Sequence, residues 1–272
     1  MARTRNAPRG PRQRRDGGGS TISAWLVGGL AILLISAILG GYTYLRLTKT
    51  AYDTATMCPI AGPAAVHAML IDRSDPISPL QTQRLQQILR AIIDGAVVNE
   101  RIDLYILSQD GLQSETPVVS LCRPPSEGNI LVQNPEHIHA AYLARFVAPI
   151  EQSLTGLTQA SELPNSPIME SIKAVCVAAF GGLRDGTPAY LTVVSDMIQN
   201  SPALNQYRPY DFATFARGPG MAQATADCHR AQVDILYLLR PRDAARQTRA
   251  HELFWEQFFN RMNAVLQRVE PI

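Results

Sequence analysis

The chain has 272 residues, 46% of them hydrophobic, and a formal net charge of +2, which suits one globular domain with additions and no collagen-like or disordered composition. The charge is unevenly spread: residues 1–15 hold six arginines and no acid, and everything after Asp16 carries 19 basic and 22 acidic residues. A mildly acidic main part excludes nucleic acid as an expected partner.

Beyond the basic tail (1–21), Ile22 to Leu45 runs 24 residues without a charge, enough to span a bilayer. A cleavable signal peptide shares the basic start and apolar stretch, but the stretch is long for one and no small-x-small cleavage site follows Gly40-Gly41-Tyr42. The expectation is an uncleaved signal anchor over 22–45. Six arginines precede it against Arg46 and Lys49 just after, which predicts a cytoplasmic amino terminus in a cell inner membrane and an extracytoplasmic, periplasmic remainder.

A linker over 46–64 leads to a domain over 65–272. Val66 to Ile71 is apolar apart from His67 and reads as a buried strand. Ser78-Pro79-Leu80-Gln81 has the pattern of a capping box with proline at the first helical position, and Leu85, Ile88, Leu89 and Ile92 make one apolar face before Asp94-Gly95. Ile102 to Leu107 predicts the next strand, Gln109-Asp110-Gly111 a turn, and Pro117 to Leu121 a short strand that its proline assigns to an edge. A loop over 123–135 precedes a helix from about His137 to Ser153, bent near Pro149.

Another helix is expected from Ser166-Pro167, with Ile168, Ile172, Val175 and Ala179 on one face, and then a strand over Tyr190 to Ser195. A long connection over 197–219 holds Tyr207, Tyr210, Phe212 and Phe215; these either form a partner-binding surface or tuck back onto the domain. A helix at about 220–231, a strand from Val233 to Leu239 and a terminal helix from Arg242 to Val269, with Leu253, Phe254, Phe258, Val265 and Leu266 as core candidates, complete the series. Strands alternating with helices imply an α/β fold: a doubly wound, mostly parallel sheet with one antiparallel edge strand.

Three short segments stand at the carboxyl ends of those strands or at a helix start, where such sheets bind ligands. They are Asp72-Arg73-Ser74-Asp75-Pro76-Ile77-Ser78, Ser166-Pro167-Ile168 and Ser195-Asp196-Met197. A carboxylate ending a buried apolar strand is costly unless paired or hydrogen-bonded, so Asp72 and Asp196 together point to a site. Ser78 and Ser166 also suit helix N-caps. The histidines are scattered, the cysteines lack metal spacing, and neither a nucleophile elbow nor a glycine-rich phosphate loop is present.

The series resembles the von Willebrand factor type A family over about residues 64–270. That resemblance implies a metal ion-dependent adhesion site with Asp72 and Ser74 in the first loop, Ser166 in the position of a second-loop threonine, and Asp196 after the fourth strand. The third first-loop ligand would fall at Pro76, which has no side-chain oxygen, so Ser78 replaces it only if the loop bulges. An oxygen-only set suits Mg²⁺, or Ca²⁺ or Mn²⁺, over zinc. The implied function is a membrane-anchored binding module in an envelope complex, its ion bridging to an acidic residue of a protein partner. Alternatives are a Mg²⁺-dependent phosphoester hydrolase with Asp72 as nucleophile, and a metal-free scaffold.

Four cysteines in an oxidising compartment predict two disulfides, with three connectivities open. Cys176 and Cys228 fall on expected helices flanking the 190–195 strand, which successive right-handed crossovers place side by side. The expected pairs are therefore Cys176–Cys228 and Cys58–Cys122.

Overall fold

The computed structural model describes residues 21–47, 50–107, 116–127, 134–156 and 164–272. The arginine tail, the expected turn Gln109-Asp110-Gly111 and part of the 123–135 loop lie outside the described residues. The chain divides into two compact units, Met1–Thr50 and Ala51–Ile272.

In the first unit, α1 (Thr21–Leu47) is a single 27-residue helix, about 40 Å long at 1.5 Å per residue. Its Trp25–Tyr44 stretch is long and apolar enough to cross a membrane, whose hydrocarbon core is about 30 Å thick. Its large apolar side chains from Trp25 to Tyr44 are exposed.

The second unit is built on six strands: β1 (Ala65–Ile71), β2 (Glu100–Ile106), β3 (Val119–Cys122), β4 (Ala189–Ser195), β5 (Gln232–Tyr237) and β6 (Val265–Pro271). Their order is β3-β2-β1-β4-β5-β6. All neighbours are parallel except β2 and β3. The winding reverses between β1 and β4, which are hydrogen-bonded neighbours although well over one hundred residues apart. This is the expected architecture: a doubly wound, mostly parallel sheet with one antiparallel edge strand.

Both faces of the sheet are covered, which explains why β1 reads as an almost unbroken apolar run. Val66, Ala68 and Leu70 face a core completed by Ile168, Ile172 and Val175 of α5 (Ile168–Val175) and by Trp255, Phe258 and Phe259 of α8 (Arg249–Arg261). Met69 and Ile71 point the other way, onto Leu85, Leu89 and Ile93 of α2 (Pro79–Gly95). The helix expected near 137–153 runs as α3 (Pro135–Tyr142), a π-helical turn at Leu143–Val147, and α4 (Ala148–Gly156).

Several expectations need correction. Residues 242–269 are not one helix: a 3₁₀ turn (Pro241–Asp243) precedes α8, and Asn263 turns the chain in the left-handed region, φ 53°, into β6. Val265 is half exposed there, Leu266 packs only partly, and Leu253 is exposed. The 197–219 connection holds α6 (Phe212–Arg217), and α7 is confined to Pro219–Ala224. Gly220 is needed there, because a Cβ would lie 2.5 Å from the carbonyl oxygen of Ala203.

Both expected disulfides form, Cys58–Cys122 and Cys176–Cys228. Cys228, however, stands in the turn before β5 rather than on a helix. In the segment expected as a linker, Tyr52 pairs with Pro59 and Cys122 N donates to Thr56 O.

Candidate functional site

The site begins with register. Ile71 pairs with Val194, and Asp72 N donates to Val194 O at 2.8 Å, so the ladder runs on past the end of β1. That places Asp72 beside Ser195 and one residue from Asp196, at the point where the winding reverses. In open α/β sheets this crevice is where ligands bind.

Asp72 is 3% exposed, and its carboxylate is held from several sides. Oδ1 accepts from Ser74 N (2.8 Å), while Oδ2 accepts from Ser195 Oγ (2.8 Å) and Ser166 Oγ (3.3 Å). Ser74 Oγ in turn donates to Ser166 Oγ at 3.4 Å. Three of the expected residues, Asp72 and Ser74 from the first loop and Ser166 from the second, thus meet, and Asp196 joins them electrostatically.

Asp196 is 4% exposed and its Oδ1 accepts from Ile198 N at 2.9 Å. Burial, and then the neighbouring Asp72 carboxylate, push its pKa up to about 7 against the Ile198 bond and the Arg240 guanidinium. The loop that presents it is held in an unusual conformation. Met197 has φ 60°, a left-handed geometry that a side chain rarely adopts. Its amide donates to Ser195 Oγ, and its carbonyl accepts from Trp255 Nε1 (2.9 Å) and lies 3.1 Å from His251 Nε2.

Ser166 and Ser78 differ from their alternative readings in opposite ways. Ser166 is no N-cap: α5 is entered at Pro167 without a side-chain cap, and Ser166 instead exchanges backbone bonds with Asn200, leaving its hydroxyl for Asp72. Ser78 is exposed, accepts from Gln81 N at 3.3 Å, and completes the capping box of α2. The loop does not bulge to bring it among the others.

Two residues that the motif did not indicate complete the rim. Ser195 links Asp72 to Met197 N as described. Arg240, just past the end of β5, has a side chain only 11% exposed, with Nε 3.5 Å from Asp196 Oδ2. Its Nη1 donates to Pro76 O, and its Nη2 to Asp75 O at 3.4 Å. Arg242 reaches Asp75 Oδ2 at 2.5 Å, and Gln247 Nε2 donates to Asp196 O at 3.3 Å. The available signal for Arg240 was its position: one turn of chain beyond a parallel strand adjacent to β4.

The donor chemistry is oxygen-only, as a hard cation requires, but the arrangement does not fit a divalent ion. The first loop offers a proline at its third position, whose carbonyl is taken by Arg240. Ser78 is committed to α2. The free edge of Asp196 faces a guanidinium.

Beside the rim lies a cleft of about 610 Å³ lined by Gln206, Tyr207, Arg208, Tyr210, Arg246 and His251, among others. Gln206 is 2% exposed, and its Oε1 accepts from Gln199 N at 2.8 Å, yet its buried Nε2 has no partner. Tyr210, Phe212 and Phe215 pack edge-on or tilted against Phe254 with centroids 5.3–5.8 Å apart. Tyr207 remains 42% exposed, with the Arg246 guanidinium 4.9 Å from its ring centre. Burial and the carboxylates of Asp196, Asp243 and Asp75 raise the Tyr207 pKa, which places the cleft within the field of the rim.

No family model and no curated protein sequence matches the chain. Among solved structures it is similar to the conserved hypothetical protein BatB from Bacteroides thetaiotaomicron (12% identity, TM-score 0.36, 76% of this chain and 91% of that one). It is also similar to an aerotolerance-related membrane protein from Bacteroides fragilis (11%, 0.33, 76% and 91%) and to the SpRpn10 VWA domain (9%, 0.37, 76% and 87%). At such scores the alignments add nothing to the strand order.

The raised pKa of Asp196 predicts a pH dependence. The folded state keeps a proton that the unfolded carboxyl loses near pH 4, so this group's contribution is fully present below pH 4 and is lost as pH rises through about 7. The urea midpoint of wild type should therefore fall relative to that of Asp196→Asn between pH 4 and 7. A difference that stays constant over that range would contradict the assignment.

Proposed function

We propose that this chain is a membrane-anchored, type A-like module that binds a protein partner outside the cytoplasm, as a component of an envelope complex. The observation that carries the reading is the cleft beside the rim, which brings the exposed Tyr207 and the exposed Arg208 together in one concave surface.

The partner group that suits this surface is a carboxylate. The exposed Arg208 guanidinium can donate to it, and Tyr207 supplies a rigid apolar wall of the kind enriched at interface hot spots. In this reading the partner's acid is met by side chains of the chain itself rather than through a bridging ion. The anchor and compartment rest on α1, on the arginine asymmetry around it, and on two disulfides that persist in oxidising surroundings.

A reporter enzyme fused after Ile272 should be active only when it reads the extracytoplasmic side; cytoplasmic activity would contradict the orientation. A photo-crosslinking residue at position 207 should give a discrete protein adduct in cells, lost when Arg208→Glu reverses the charge. Equal adducts from position 177, exposed on the π-helical turn Cys176–Phe180, would contradict the cleft as the binding face.

A further inference from the structure

We propose that Arg240 is the resident cation of this rim, its guanidinium standing where a divalent ion would otherwise hold the first and third loops together. The proposal is independent of whether the cleft binds a protein. An ion at such a crevice must do two things: offset the buried charge of Asp196, and tie the loop after β1 to the loop after β4. Arg240 does both. Its Nε lies 3.5 Å from Asp196 Oδ2, while its two terminal nitrogens donate to the carbonyls of Pro76 and Asp75.

The first loop is shaped for this role. A third hydroxyl at position 76 would serve a metal; proline there leaves only the carbonyl, which a guanidinium can use and which a small ion would have to share. Arg240 is itself fixed: its backbone N donates to Gln247 Oε1 at 2.7 Å, and Gln247 Nε2 donates to Leu238 O at 2.8 Å and to Asp196 O. The planar fork of an arginine holds several acceptors at once in a fixed geometry, which a lysine cannot reproduce. The rim also keeps further positive charge close, with Arg242 on Asp75, so an incoming divalent ion meets repulsion in addition to an occupied position.

The test measures Mn²⁺ binding by the full chain in detergent, from the loss of the free-ion electron paramagnetic resonance signal. Wild type should show no binding up to about 1 mM. Arg240→Gln should bind at least tenfold more tightly than wild type, and Asp72→Asn in the same background should abolish that gain. Arg240→Lys keeps a cation at the rim but loses the fork, and should bind Mn²⁺ more weakly than Arg240→Gln. Saturable Mn²⁺ binding by wild type that Asp72→Asn removes would overturn the proposal, and so would a folded Arg240→Gln that binds no better than wild type. Should Arg240→Gln fail to fold, the second variant decides. Folding restored by adding Asp196→Asn supports the arginine as counter-cation; failure of that pair to fold overturns it.

Discussion

Two carboxylates buried side by side are the constraint around which this domain is arranged. The parallel pairing of β1 with β4 leaves no freedom: once Ile71 sits opposite Val194, Asp72 and Asp196 end adjacent strands at the same edge. Each is removed from water and each repels the other, so both need compensation from polar groups nearby. The compensation is unequal. Asp72 receives a backbone amide and two hydroxyls, whereas Asp196 receives one amide and a guanidinium at ion-pair distance. The proton affinity of Asp196 rises accordingly.

That arrangement explains much of the rim's local structure. The segment after β5 folds over the site because its side chains are needed there: Arg240 on Asp196 and Pro76, Arg242 on Asp75, Gln247 on the Asp196 carbonyl. Asp243 then gathers Arg242 and Arg246, and Arg246 lies over Tyr207 at the edge of the cleft. A strained left-handed Met197 persists because Trp255 holds its carbonyl with a buried hydrogen bond. Site, clamp and cleft are therefore one hydrogen-bonded system rather than separate features.

The sheet was legible in the sequence because its central strands are buried on both faces and the 166–180 helix carries a clean apolar stripe. Both disulfides followed from topology, even though Cys228 lies in a turn. The sixth strand was not legible. Val265–Pro271 is an edge strand with Arg268 and Glu270 on it, and its scattered apolar residues continue the helical spacing of Phe254 and Phe258. Of the expected ligands, Asp72, Ser74, Ser166 and Asp196 converge, because strand ends and loop order predict position. Ser78 does not, because a capping box is a local interaction that outcompetes a distant one. No spacing marks Arg240; only the three-dimensional neighbourhood of β4 and β5 does.

The most direct measurement of this account is a double-mutant cycle in urea at pH 8 with Asp196→Asn, Arg240→Gln and the pair. If the guanidinium offsets the buried carboxylate, removing Arg240 alone should be much more damaging than removing it after Asp196 is neutral, with a coupling of about 1 kcal/mol or more. Effects that add to within ~0.3–0.5 kcal/mol would mean that the arginine and the carboxylate do not depend on each other, and the account of the rim would be wrong.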